Sequence, residues 1–75
     1  MPNEILLDCL GMKCPRPIIE LAKAARKSPP GTILRVLSDD LAFESDANAW
    51  CDTGKGKLLS LSKEGQNATA LIELL

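Results

Sequence analysis

The sequence predicts an α+β protein, a two-layer α/β sandwich of order βαβαββ with two helices on one face of a mixed four-stranded sheet. The first observation is an alternation of amphipathic helix patterns with short apolar strand patterns. The second is a turn signal between the last two strand patterns, which indicates a β-hairpin. The third is that both helices have an apolar side that needs cover, which one sheet face provides economically. Residues 1–75 are expected to form a single small domain.

The first strand and the first helix are predicted within residues 4–27. Residues 4–10 form a short, mostly apolar run, which is typical of a strand inside a sheet. The helix is predicted from about Pro15 to Lys27. Its apolar residues recur at helical spacing: Ile18, Leu21, Ala22 and Ala25. Gly11 lies in the connection, where it is free to take the backbone angles that the turn into the helix demands.

The second strand is predicted at residues 32–38, the most β-prone segment of the chain. Asp39 and Asp40 follow it and offer N-cap acceptors for a second helix. One face of that helix carries the apolar side chains of Phe43, Ala47, Trp50 and Cys51. Residues 57–63 and 68–75 are predicted as the hairpin strands. Right-handed crossovers would make the first strands parallel, and the hairpin would make the last strand antiparallel.

Composition excludes several classes of function. Nine basic and ten acidic residues give a net charge of −1, so direct nucleic-acid binding is not expected. No apolar run approaches the roughly 18 residues that a membrane helix needs, so no membrane association is expected. The start, Met1 to Glu4, lacks both a basic region and a long apolar stretch, which argues against an export signal. The expected location is the cytoplasm.

The cysteine count and the lack of histidine narrow the chemistry further. Three cysteines in a chain without an export signal favour free thiols in a reducing compartment over a disulfide framework. A histidine general base, a Cys–His dyad and a histidine-containing zinc site are excluded within this chain. The scattered cysteines lack paired spacing, so no metal site is expected. Cys9 and Cys51 lie in apolar patterns and are expected to be core residues.

The stretch Cys14-Pro15-Arg16-Pro17 places a thiol where a helix begins. Proline is well tolerated in the first turn, so Cys14 is expected at or beside the N-cap, where the helix dipole favours a thiolate. Lys13 and Arg16 add positive potential, and the Arg16 amide can donate towards the sulfur. These features predict a reactive thiol with a lowered pKa. If Cys14 is the N-cap, Pro17 is the third helical residue and has no N–H to donate to it.

The residues alone leave two interpretations of Cys14 open. A lone cysteine before a helix can be a small apolar residue without chemistry. It can also be a reactive thiol without a resolving partner, because Pro17 occupies the place of the second cysteine of a Cys-x-x-Cys redox motif. That arrangement suits a carrier that holds a terminal sulfur, and it suits a dithiol oxidoreductase poorly.

Residues 7–17, Leu-Asp-Cys-Leu-Gly-Met-Lys-Cys-Pro-Arg-Pro, resemble the signature of the TusA family of sulfur-carrier proteins, also called SirA-like. The hallmark of that family is Cys-Pro-x-Pro after Leu-Asp-x-x-Gly. The resemblance continues through Pro30-Gly31, Asp39-Asp40 and residues 46–51, where an aromatic residue and a cysteine stand together. It covers nearly the whole chain. The sequence departs from the common pattern at Leu41, where a proline is frequent.

The resemblance implies a persulfide relay within the two-layer fold. Cys14 would accept sulfane sulfur from a donor such as a cysteine desulfurase or a rhodanese-like protein and would hand it to the next protein. Family routes include tRNA 2-thiouridine synthesis, sulfur oxidation and molybdenum-cofactor pathways. The chain would act as a sulfurtransferase without a cofactor, as a monomer. Supporting roles at the thiol are expected for Gly11, Pro15, Arg16 and Pro17. Candidate partner contacts are Lys13, Asp39 and Asp40.

Two other functions remain open from the sequence. The chain could be a non-catalytic interaction or regulatory module of the same fold, with Cys14 inert. It could also be a thiol redox protein that pairs Cys14 with Cys9 or Cys51, which would require an intramolecular disulfide. The redox function ranks third because both candidate partners are expected to be buried.

Overall fold

The computed structural model describes residues 4–75 and shows the predicted order of elements. The strands are β1 (Glu4–Asp8), β2 (Ile33–Ser38), β3 (Gly56–Glu64) and β4 (Asn67–Leu74). The helices are α1 (Arg16–Lys27) and α2 (Phe43–Trp50), and α2 continues into a wider turn at Cys51–Lys55. The predicted α+β fold class is confirmed. Met1 to Asn3, on which the expectation of no export signal partly rests, lie outside the described residues.

The four strands form one mixed sheet in the order β1-β2-β4-β3. β1 and β2 are parallel, with Leu7 opposite Val36. β4 lies between β2 and β3 and is antiparallel to both. The predicted directions of the strands are therefore confirmed. β3 has a register shift between Leu58 and Ser60, which is the signature of a β-bulge near the middle of this edge strand.

The hydrophobic core lies between the two helices and one face of the sheet. Every second residue of β2 and β4 is buried. The residues between them face the other side of the sheet and are more exposed. The buried core residues from the strands include Leu34, Val36, Ala70, Ile72 and Leu74. The helices contribute Leu21 from α1 and Phe43, Ala47 and Trp50 from α2. Because both helices bury their apolar side against the same face, the result is the predicted two-layer sandwich.

The first helix ends where the sequence predicts and begins one residue later. Ser28 terminates it: its N–H donates to the carbonyl of Ala25 and its hydroxyl donates to the carbonyl of Ala24. Its N-cap is Pro15, which makes no side-chain cap hydrogen bond. Cys14 thus lies directly before the N-cap, which agrees with the expectation of a thiol at or beside that position.

The prediction that Asp39 and Asp40 cap the second helix is wrong. α2 begins at Phe43 after Ala42, and no side chain caps it. The Asp40 N–H donates to the Ser38 hydroxyl over 3.2 Å, and the Asp40 carbonyl accepts from the Phe43 N–H over 3.1 Å. These bonds form a turn between β2 and α2, and the helix starts three residues further along. Neither carboxylate caps the helix. Asp39 lies near the loop before Cys14, and Asp40 lies near Cys14 itself.

Across residues 4–75, no helix combines the length and the apolar character that a membrane span needs.

Candidate functional site

The loop between β1 and α1 is fixed to the end of β2. The Cys9 N–H donates to the Leu37 carbonyl over 2.8 Å, which extends the β1–β2 ladder by one bond. The Gly11 N–H donates to Oδ1 of Asp39 over 3.1 Å. Gly11 has φ +82°, a backbone conformation that only glycine adopts readily. The loop that delivers Cys14 is thus attached to β2 at two points.

Two detailed expectations about the start of α1 are wrong. The Arg16 N–H donates to the Lys13 carbonyl over 2.8 Å and not to the sulfur. Because Pro15 is the N-cap, Pro17 is the second helical residue and not the third, so it does not remove a third-position N–H donor from a cap at Cys14. The first turn of α1 therefore positions Cys14 but gives its sulfur no hydrogen bond from the Arg16 amide.

The Cys14 thiol is exposed and points at the second helix. Its Sγ donates to Oδ2 of Asp46, on α2, over 3.1 Å. Asp40 lies beside them: one donor atom from each of the three residues lies within 4.8 Å of the others. The second carboxylate oxygen of Asp40, Oδ2, is buried without a hydrogen-bond partner. The site thus consists of one thiol and two carboxylates, contributed by three different segments of the chain.

This arrangement raises the pKa of Cys14, so the prediction of a lowered pKa is wrong. The main cause is the hydrogen bond to Asp46, which favours the protonated thiol. Desolvation and the negative charges of Asp46 and Asp40 add to it. Lys13 and Arg16 make no ion pair with either carboxylate within the described chain. The two cations flank Cys14 in the sequence, whereas the carboxylates of Asp46 and Asp40 reach the sulfur only through folding.

A shallow, open hollow of about 350 Å³ lies next to the thiol, between α1 and α2. Its walls combine Cys14, Pro15 and Ile18 from one side with Asp46, Ala49 and Trp50 from the other. The hollow exposes the sulfur along one side and is open to solvent. It can therefore admit a protruding loop of another protein more readily than it can enclose a small molecule.

The other two cysteines lie elsewhere. Cys9 is 1% exposed and belongs to the core, as predicted. Cys51 is half-buried and packs against the edge of that core. Burial is the main cause that raises the pKa of both thiols. All three cysteines are free, and only Cys14 is exposed.

Cys14, Asp40 and Asp46 are also the group whose donor atoms could share a metal ion, among the residues that the structure describes. The set has one sulfur and two carboxylates, which matches none of the usual Cys- and His-rich zinc sets. The Cys14 thiol already donates a hydrogen bond to Asp46, so their close approach does not require a metal ion.

Asp46 is a residue of the site that the sequence pattern does not single out. The residue lies in the first turn of α2, where an acidic side chain is expected in any case because it complements the helix dipole. A signal was available in its spacing, since Asp46 precedes the buried Trp50 by four residues and directly precedes the buried Ala47. A carboxylate at the edge of a buried helix face tends to lie near the neighbouring elements.

The fold and the site define a small cysteine-bearing α+β domain that presents one exposed thiol at the start of its first helix. The comparison with known families agrees with this class. The family described as Sulfurtransferase TusA matches residues 5–74. The chain belongs to the TusA family, which confirms the predicted family resemblance.

Individual relatives are described as sulfur carriers. A Bacillus subtilis (strain 168) protein named "Putative sulfur carrier protein YrkI" is 35% identical over 65 residues, which cover 87% of each chain. Proteins of Aquifex aeolicus (strain VF5) and Archaeoglobus fulgidus have the same description without the gene name. The first is 34% identical over 89% of this chain, which spans only about a third of that relative's length. The Archaeoglobus fulgidus protein is 45% identical over 40 residues, which cover 53% of this chain and 52% of that relative's length. The family assigns the chain a role as a sulfur carrier.

Proposed function

We propose that Cys14 carries sulfane sulfur as a persulfide between a donor protein and an acceptor protein. The observation that carries this proposal is the exposure of the Cys14 thiol beside the open hollow, while Cys9 is buried and Cys51 is half-buried. A carrier atom must be reachable by two partners in turn, and Cys14 meets that requirement best.

The chemistry needs no cofactor. The Cys14 sulfur attacks the terminal sulfur of a donor persulfide, a new S–S bond forms at Sγ, and the donor cysteine leaves as a thiolate. In the second transfer an acceptor thiolate attacks the terminal sulfur on Cys14, and the Cys14 thiol is restored. The total oxidation state of the sulfur atoms is unchanged in each step, so neither an oxidant nor a reductant is consumed.

Retention of the persulfide follows from the absence of an adjacent second thiol. A neighbouring cysteine would attack the persulfide and release the sulfur, as the second thiol of a Cys-x-x-Cys motif does. Pro17 occupies that place and is buried. Cys9 is in the core, so it is not available to attack a group at the surface. These features support a carrier over a thiol redox protein.

The partners are expected to bind around the thiol. The donor is a cysteine desulfurase or a rhodanese-like protein, and the acceptor is the next protein of a relay such as the one that leads to tRNA 2-thiouridine. Lys13 is exposed beside Cys14, and Asp39 and Asp40 are half-buried nearby. Leu41, directly after Asp40, is 91% exposed, and an apolar side chain of this size so exposed is a suitable anchor for a partner. The protein acts in this relay as a cytoplasmic monomer.

One observation favours a second function. The raised pKa of Cys14 leaves a smaller fraction of thiolate in the free protein than an ordinary cysteine has. This is what a non-catalytic interaction module with an inert cysteine would show. Sulfur loading separates the two functions.

The test is the intact mass of the protein after incubation with a cysteine desulfurase, L-cysteine and pyridoxal phosphate. Wild type is compared with Cys14→Ser and with Cys51→Ser, which removes the half-buried thiol. We expect wild type and Cys51→Ser to gain one sulfur atom that a reductant removes, and Cys14→Ser to gain none. A rhodanese loaded with thiosulfate is the second donor. If neither donor adds sulfur to the wild type, the persulfide proposal fails and the interaction module replaces it.

A further inference from the structure

Asp46 is the partner of the Cys14 thiol in the structure. Its Oδ2 accepts the hydrogen bond from Sγ over 3.1 Å, and no other acceptor bonds this thiol within residues 4–75. Asp46 is half-buried on α2 and lines the hollow in which Cys14 is exposed. A carboxylate in this position contacts the atom that is to react.

We propose that Asp46 is a catalytic residue that holds the Cys14 proton in the free protein and takes it up when Sγ attacks a donor persulfide. This inference rests on the proposed function, because it assigns the proton path of that transfer. It gives the chain a general base even though it has no histidine.

The charges around the thiol support the first half of this role. From other elements, Asp46 and Asp40 face the sulfur, and both raise the pKa of Cys14. From its own segment, Lys13 and Arg16 flank it, without an ion pair to either carboxylate in the described part of the chain. The thiol of the free protein is therefore held protonated, which slows reactions with small electrophiles that meet it in solution.

The uptake of the proton by Asp46 follows from the effect of a docked donor protein on Cys14 and Asp46. A partner that covers the open hollow removes water from both groups. A carboxylate concentrates its charge on two small oxygens, so it loses more hydration than a large, polarisable sulfur does. Desolvation therefore raises the basicity of the carboxylate more than that of the thiolate, and the proton moves more easily from Sγ to Oδ2.

The proton balance closes within the transfer. The S–H bond of Cys14 breaks and its proton goes to Oδ2 of Asp46, while the electron pair of sulfur forms the new bond to the terminal sulfur of the donor. The S–S bond of the donor breaks, and its cysteine leaves as a thiolate. That thiolate takes the proton from Asp46, which returns to the carboxylate form for the next transfer.

The proposal predicts opposite effects of one substitution on two reactions of the same thiol. Asp46→Asn removes the base and replaces the acceptor by an amide that can donate towards sulfur. Alkylation of Cys14 by iodoacetamide at about pH 7.5, below the ordinary thiol pKa of about 8.5, should become severalfold faster. The gain in thiolate outweighs the smaller loss of nucleophilicity. Single-turnover loading by the persulfidated donor should become about 100-fold slower, the low end of what a positioned general base contributes.

Matched variants separate the carboxylate from charge in general. Asp52→Asn makes the same change in an exposed residue after α2 and should leave both rates of Cys14 unchanged. Asp46→Glu keeps a carboxylate and should restore part of the loading rate. Circular dichroism melting of each variant shows whether the fold is retained, and peptide mass mapping assigns alkylation to Cys14.

The outcomes are decisive in each combination. Faster alkylation with slower loading supports the proposal. If alkylation becomes faster and loading is not slowed, Asp46 only restrains the thiol and the base role is wrong. If alkylation does not rise, Asp46 does not hold the proton and the proposal is overturned. If the wild type accepts no sulfur from either donor, the proposed function fails and the base role fails with it. The alkylation rates then still show whether Asp46 keeps the Cys14 thiol protonated.

Discussion

The backbone N–H of Gly11 donates to Oδ1 of Asp39 over 3.1 Å, a hydrogen bond that joins residues 28 positions apart in the chain. Gly11 lies in the loop that leads to Cys14, and Asp39 follows the last residue of β2. The acceptor is a carboxylate that the sequence predicts as the N-cap of the second helix. It fixes the loop so that α1 begins opposite the start of α2, which brings the thiol to Asp46.

Loss of this bond should destabilise the protein. We expect Asp39→Ala to lower the free energy of unfolding by about 1 kcal/mol, the usual contribution of one intramolecular hydrogen bond. Asp39→Asn keeps an oxygen acceptor and should recover most of the loss. Urea unfolding of the three proteins measures the difference. Equal stability of Asp39→Ala and the wild type would show that the bond does not stabilise the fold.

The Trp50 ring packs over Gly56 at the start of β3. A Cβ added at Gly56 would lie 2.7 Å from Cζ3 of Trp50 and 2.9 Å from Cγ2 of Ile72. We therefore expect Gly56→Ala to cost about 1–3 kcal/mol, as overpacking of a core does. Ser60→Ala, at an exposed position of the same strand, is the control. Thermal melting that shows no difference between these two variants would contradict this packing.

Stability should fall at alkaline pH because of Cys9. Burial raises the pKa of the Cys9 thiol in the folded state, so the unfolded chain loses this proton at a lower pH than the folded protein. The contribution is fully present below the unfolded pKa of about 8.5 and is lost as pH rises from there through the folded pKa. Urea unfolding over this range should show a smaller decline for Cys9→Ala. The same decline in both proteins would exclude Cys9 as its cause.

Cys14 should be dispensable for folding. Its side chain is exposed, and serine can still donate to Asp46. Surface substitutions of this kind rarely change stability appreciably. We expect Cys14→Ser to melt at the temperature of the wild type. A clearly lower melting temperature would mean that the thiol has a structural role, and loss of loading in this variant would then need a separate explanation.

The fold was predictable because each element carries a local pattern. Helical spacing at Ile18 and Leu21, the β-prone residues of β2 and the turn signal before Asn67 are each recognised within a few neighbouring residues. The order of strands was not predictable, since the insertion of β4 between β2 and β3 depends on contacts between distant segments. The start of α2 was missed because the Asp40 backbone and the Ser38 hydroxyl form a turn that competes with capping.

The sequence was sufficient to predict the reactive residue of the site, but not the residues that surround it. The Cys-Pro-x-Pro segment identifies Cys14 and the start of α1 from neighbouring residues alone. The pKa of Cys14 depends on Asp46 and Asp40, which are 32 and 26 positions away in the sequence. Charges at such separations reach the thiol only through the tertiary fold, so a count of flanking cations gave the wrong sign.

The most direct test of the central claim is the position of the sulfur atom after loading. The protein is incubated with the persulfidated donor, separated from it, trapped with iodoacetamide and digested, and the peptides of the three cysteines are compared by mass. We predict that the additional sulfur lies on the peptide of Cys14 and is absent from those of Cys9 and Cys51. Sulfur on Cys51 instead, or on none of the three, would contradict the assignment of Cys14 as the carrier.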